Sequence, residues 1–197
     1  RREKGSKGAD FTFNSTNEVS NEIFEGVTHV LSCIPPLLSG EDPVLSKLKN
    51  QLLNSKKFKW VGYLSTTGVY GDTQGKWVNE NMSPNPKQER SIRRFSCEKE
   101  WLETKLPIQI LRLPGIYGPQ RSVFESILNG TTKMIDKPGQ VFSRIHVDDI
   151  AGAVLFLINL YSQGQNPSIV NIADDLPTNN LEVIDFAAKL AKKSLPS

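Results

Sequence analysis

The chain has 197 residues, a length suited to one domain, and its 38% hydrophobic and 23% charged content is that of a globular protein with enough apolar residues for a core. A net charge of +3, with the basic residues scattered, excludes the electrostatic footprint of a nucleic-acid binder, and no apolar run is long enough to span a bilayer. The two cysteines, Cys33 and Cys97, lie far apart and match no metal-ligand spacing, so no metal site is expected; Cys33 reads as a reduced core thiol of an intracellular protein, cytoplasmic or in an organelle matrix or stroma.

The chain opens Arg1-Arg2-Glu3-Lys4 without an initiator Met, which reads as a processed, cut or partly represented form. Residues 1–9 are polar and read as a loop. Phe11 and Phe13 alternate in a short strand between Ala9 and Asn14. Ser15 or Thr16 offers the N-cap of a helix with Val19, Ile23 and Phe24 on one face, stopped by Gly26. Thr28 to Ile34 is a buried strand bounded by Pro35-Pro36. Asp42-Pro43 starts an amphipathic helix carrying Val44, Leu45, Leu48 and Leu52. Trp60 to Ser65 is the next strand, residues 72–87 a long loop, and Glu89 to Glu103 a helix with Ile92, Phe95 and Leu102 inward.

Ile108 to Arg112 is a strand followed by the turn Pro114 to Pro119. Ser122 to Leu128 is a short helix and Arg144 to Val147 a short strand. Asp149 is expected to cap the apolar helix Ile150 to Tyr161. Ser168 to Ile172 and Leu181 to Ala191 are the last strand and helix. Strands alternating with helices predict an α/β fold, a Rossmann-like doubly wound parallel sheet within a single domain.

In such a sheet, ligands bind outside the carboxyl ends of the strands. Three strand ends here carry small, rigid or hydroxyl-bearing residues: Ser32 to Pro36, Ser65 to Gly71, and Leu113 to Pro119. Each run has the plainer reading of a chain turn; the three together outline a crevice.

The order Ser65-Thr66-Thr67-Gly68-Val69-Tyr70-Gly71-Asp72, Val78-Asn79-Glu80 with Pro84 and Pro86, Arg112-Leu113-Pro114-Gly115-Ile116-Tyr117-Gly118-Pro119, and Arg144-Ile145-His146-Val147-Asp148-Asp149-Ile150-Ala151 resembles the extended short-chain dehydrogenase/reductases. Over nearly its whole length the chain is similar to their atypical subgroup related to NAD-dependent epimerase/dehydratases. The resemblance places Thr66 where the family has its catalytic Ser or Thr, with a hydroxyl that bonds a substrate oxygen; the plainer reading has Thr66 satisfy a local backbone group. Where the family carries Tyr-x-x-x-Lys, this chain carries Arg90-x-x-x-Arg94. Arginine stays protonated and is a poor general base, though it can grip a phosphate or carboxylate or hold the nicotinamide ribose. Tyr70 and Tyr117 remain as substitute acids or as packing residues. His146 invites a catalytic reading, but the resemblance puts its segment at the substrate side.

The resemblance implies a cofactor-binding set of Ser32, Ile34, Pro35, Ser65, Arg94, Pro114, Gly115 and Ile116. Arg1 and Arg2 are either a basic terminus or contacts to the 2′-phosphate of NADP. NADP, with NAD as the other option, is the implied cofactor; residues 113–147 and 174–197 contribute to the substrate side. The family's Gly-rich loop is absent here, so the sheet is expected to be incomplete at the N-terminus, the pyrophosphate cradle missing, and cofactor binding by this chain alone in question. The strand at Thr28–Ile34 would then present an open edge, to be covered by a protein partner, a second copy or missing sequence. The implied activity is that of an oxidoreductase or epimerase acting on a sugar nucleotide or small hydroxy or carbonyl compound. The alternative is a non-catalytic dinucleotide-sensing or scaffolding protein, or a structural subunit of an assembly. Neither nucleic acid nor membrane is expected as a partner.

Overall fold

The structure is a computed structural model that describes residues 13, 19, 21–55, 57–134, 137 and 139–194. The strand and helix expected between Ala9 and Phe24 lie largely outside these residues, as do Arg1 and Arg2. Within them, Asn21–Phe24 forms a 3-10 turn, and Gly26 leaves it at φ +72°.

Among the described residues six strands follow: β1 His29–Ser32, β2 Trp60–Thr66, β3 Ile108–Leu113, β4 Gly115–Tyr117, β5 Arg144–His146 and β6 Ile169–Asn171. The parallel sheet has the order β1-β2-β3-β6. Strands β4 and β5 form a separate parallel pair, Gly115 opposite Arg144 and Ile116 opposite Ile145. The segment expected as a plain turn after β3 is therefore part strand, because Gly115 N donates to Ser143 O and starts a second ladder.

Among the described residues there are five α-helices: α1 Pro43–Asn54, α2 Glu89–Glu103, α3 Val123–Leu128, α4 Val147–Ser162 and α5 Asn180–Ala191; α3 and α5 pack on each other through Ile127, Ile184, Ala187 and Ala188. Helices α1 and α2 cover one face of the sheet, where Leu48, Leu52, Tyr63, Trp101 and Ile110 form a sealed core. Helix α4 covers the other face, where Ile150, Val154 and Leu157 pack against Trp60, Leu111 and Leu113. Helices on both faces of a parallel sheet make this the Rossmann-like α/β fold. Every residue of β3 is buried, as a central parallel strand requires.

Local chemistry explains the boundaries. Asp42 Oδ1 accepts from Val44 N and Leu45 N at 2.9 Å each, with Pro43 in the first turn of α1. Its second oxygen accepts from Trp101 Nε1 at 3.0 Å, fastening α2 to the start of α1. Two expectations fail in the helices. Ile92 is 48% exposed; the buried face of α2 is Ser91, Cys97, Glu98 and Trp101, so polar residues hold positions assigned to apolar ones. Asp149 is not a cap: α4 starts two residues earlier, and His146 Nδ1 accepts from Asp148 N at 3.2 Å. Cys33 is exposed rather than in the core, because β1 ends at Ser32.

Among the described residues β1 pairs only with β2, so the sheet has an open edge there, with Leu31 39% exposed. No described helix is long and apolar enough to cross a membrane.

Candidate functional site at the carboxyl ends of the strands

The parallel register places Ser65 opposite Arg112, and Arg112 opposite Asn171, in one row across β2, β3 and β6. Arg112 is a lone charge in an apolar central strand, 1% exposed, and such a charge is stable only when paired and bonded. Its partner is Glu98, one turn beyond Arg94 on the inner face of α2. Arg112 Nε donates to Glu98 Oε1 at 3.1 Å and Nη2 to Oε2 at 2.7 Å. Ser65 Oγ donates to Glu98 Oε1 as well. Burial works against the Arg112 charge, but Glu98 and Tyr70 together outweigh it and hold its pKa above the ordinary arginine value.

The row continues outward. The Tyr70 ring lies under the Arg112 guanidinium at 4.8 Å, and its hydroxyl donates to Asn171 Oδ1 at 2.9 Å. Asn171 N donates to Glu80 Oε1 at 2.7 Å, tying the 72–87 loop to the end of β6. Tyr70 is thus a buried, bonded packing residue. Gly71 lets this loop fold back: it sits at φ +77°, and a Cβ there would stand 2.2 Å from Asn85 O.

Arg94 reaches the same level from α2. Its Nη1 donates to Leu64 O at 3.1 Å, Ile34 O at 3.3 Å and Tyr63 OH at 3.0 Å, joining the ends of β1 and β2. Nε and Nη2 have no hydrogen bond among the described residues. Burial pushes the Tyr63 phenol well above its usual range, against the pull of Arg94. Arg90, at the other position of the pair, is exposed in the first turn of α2.

Thr66 closes β2 and opens the 3-10 turn Thr67–Tyr70; its Oγ1 accepts from Gly68 N at 3.1 Å. Ser32, at the carboxyl end of β1, is 4% exposed, and its hydroxyl is sealed without a partner among the described residues. Ile34 and Pro35 follow it. The structure therefore gathers Ser32, Ile34, Ser65, Thr66 and Arg94 at one end of the sheet. Pro114 follows the neighbouring strand, while Gly115 and Ile116 are engaged in the β4–β5 ladder. Tyr117 stacks edge-on against His146, centroids 5.2 Å apart. Among the described residues no cluster of three His, Cys, Asp or Glu could hold a metal.

Comparison with known proteins comes after this geometry. The model of the NAD dependent epimerase/dehydratase family matches residues 39–173. A solved structure of a functionally unknown conserved protein from Silicibacter pomeroyi is 41% identical, with a TM-score of 0.82 over 92% of this chain and 63% of that one. A UDP-glucuronic acid 4-epimerase from Bacillus cereus, solved with NAD, is 21% identical, with a TM-score of 0.70 over 91% of this chain and 65% of that one. RMD from Pseudomonas aeruginosa, solved with NADPH, is 16% identical, with a TM-score of 0.67 over 85% and 68%. The chain thus spans about 63% of the length of its 41% identical relative. A comparison with curated proteins finds no match.

Proposed function

We propose, because the chain belongs to the NAD dependent epimerase/dehydratase family, that it forms the catalytic core of an oxidoreductase or epimerase that works with a nicotinamide dinucleotide, NADP in preference to NAD. The substrate class is a sugar nucleotide or a small hydroxy or carbonyl compound. The observation that carries this reading is Arg94 at the carboxyl ends of β1 and β2: Nη1 is held by Ile34 O and Leu64 O, while Nε and Nη2 have no hydrogen bond among the described residues. A guanidinium with donors left over at the carboxyl ends of parallel strands fits a ribose hydroxyl or phosphate of a dinucleotide laid across them. The NAD and NADPH in the Bacillus and Pseudomonas neighbours support the choice of cofactor class.

In this reading Ser32, Ile34, Pro35 and Ser65 line the dinucleotide's path, with Pro114, Gly115 and Ile116 on its far side. Arg94 keeps Nη1 on the protein backbone and presents Nε and Nη2 to a ribose hydroxyl or phosphate. Thr66 hydrogen-bonds the oxygen on the reacting carbon. Bound there, the dinucleotide would supply or accept hydride. Residues 113–147 and 174–197 shape the substrate side. The open edge of β1 is covered by a further segment, a partner or a second copy.

One observation favours a second reading. Arg94, which the resemblance sets with Arg90 where the family carries its proton-transfer pair, is engaged by two main-chain carbonyls and a phenol. A dinucleotide-sensing or scaffolding protein without chemistry would carry such a site. Calorimetric titration of NADPH and NADH, into this chain and into a form lengthened to the span of its relatives, separates the readings from the failure of both. NADPH binding, weakened roughly tenfold by Arg94→Ala, with turnover lost in Thr66→Ala, is the expected result. Binding without turnover on any carbonyl substrate would favour the second reading, and no binding in either form would overturn the dinucleotide reading.

A further inference from the structure

We propose that Arg90 is a specificity-determining residue that takes an anionic group of the substrate, a carboxylate or a phosphate. Arg90 stands in the first turn of α2 and is exposed, yet its place on the helix is an inward one. At about 3.6 residues per turn, Arg90, Arg94, Cys97 and Trp101 fall along one side of α2. Cys97 and Trp101 are 0% exposed, and Arg94 is half-buried with Nη1 on the ends of β1 and β2. Arg90 continues that line for one more turn and is the member left exposed.

The packing of α2 shows where that turn stands. Towards its start the helix meets later and later points of the chain leaving β2. Trp101 stacks on Tyr63 at 5.7 Å, Glu98 accepts from Ser65, and Ser91 packs against Gly68 beyond the end of the strand. Arg90 precedes Ser91, and side chains on a helix lean towards its N-terminus. Its guanidinium is therefore carried past the carboxyl ends of the strands, the side on which a parallel sheet holds its ligands.

Charge supplies the chemistry. Arg90 and Arg94 are one turn apart, which sets their Cβ atoms about 5–6 Å from each other. None of the ion pairs among the described residues includes either of them; Glu89, next to Arg90, pairs with Arg93 instead. Two like charges one turn apart repel, and an oxyanion lying over them relieves that repulsion. Arg94 keeps Nε and Nη2 for the dinucleotide, as in the reading above. The substrate's anion then falls to Arg90, which makes no hydrogen bond among the described residues and so has its whole fork of N–H donors free. That fork fits a carboxylate and a phosphate alike. It stays protonated, so Arg90 selects and orients; it moves no proton.

This inference rests on the dinucleotide reading above, and its test keeps the two apart. NADPH is titrated first into the wild-type protein, Arg90→Gln and Arg90→Lys; UDP-glucose, UDP-glucuronic acid and pyruvate are then titrated into each NADPH-loaded form. The NADPH dissociation constant should be alike in all three, which also reports that they fold. Arg90→Gln should weaken an anionic probe roughly tenfold, one charge-assisted contact's worth, and Arg90→Lys should recover most of that loss. A loss confined to UDP-glucuronic acid and pyruvate assigns the carboxylate; an equal loss for both UDP sugars assigns the phosphates. If NADPH binds and Arg90→Gln holds every probe as tightly as the wild type, or weakens NADPH alone, the substrate role of Arg90 is overturned while the dinucleotide reading stands. The same holds if NADPH-loaded wild type takes no probe. If NADPH does not bind, the dinucleotide reading fails and takes this inference with it.

Discussion

Glu98 and Arg112 show how much of the site rests on single side chains. Removing one partner strands the other charge in the core, so Glu98→Ala should cost about 3–5 kcal/mol in urea unfolding. Replacing both by methionine should cost far less, since apolar residues of similar volume relieve the desolvation penalty. A double replacement as damaging as the single one would show that the pair contributes more than mutual neutralisation. Cys97 offers a chemical check on burial. Its thiol is pushed up to about 12, mainly by burial and then by Asp42 and Glu100. A protonated, enclosed thiol does not attack disulfide reagents. Cys33, exposed though itself raised by partial burial, should react first. Cys97 should react only on unfolding, as a timed thiol assay with and without urea would record.

Among the elements, α1 and α2 are joined through Asp42, which caps one helix and accepts from Trp101 of the other. Asp42→Ala should therefore cost more than the roughly 1 kcal/mol typical of a lost cap, because the buried indole N–H also loses its partner. A thermal melt no different from that of an ordinary cap variant would count against this coupling. Close by, Glu100 has its pKa raised by burial and by Asp42, Glu103 and Glu41, with Lys49 opposing. A carboxyl raised in the folded state binds protons the unfolded chain has released, so this group lowers stability as pH rises through the carboxylate range. Glu100→Gln should flatten the fall as pH rises above about 4, modestly because the group is partly exposed. At the loop, Gly71→Ala should destabilise by more than the roughly 1 kcal/mol of a positive-φ substitution, since the new methyl would meet Asn85 O.

At the scale of the molecule, the parallel sheet was legible in the sequence because its strands are apolar runs closed by glycine, proline and hydroxyl residues. The bounds of α2 were legible too, but its inward face was not. Ser91 and Glu98 are polar, and periodicity assigns such residues outward unless a partner is known. Arg112 in Ile-Leu-Arg-Leu was the available signal, since a charge inside a central strand demands a counter-charge. The cap of α4 was missed because histidine is an uncommon cap, and its role follows from a ring nitrogen that only the fold places.

The 72–87 loop carries a tryptophan of very different surroundings from the other two. Trp60 and Trp101 are 1% and 0% exposed, while Trp77 is 79% exposed. Emission from the first two reports the core, and emission from the third reports water at the loop that Glu80 ties to β6. Iodide or acrylamide should quench Trp77 selectively, so the red side of the spectrum becomes a built-in optical gauge. A ligand settling at the strand ends would blue-shift or brighten that component without any label being attached.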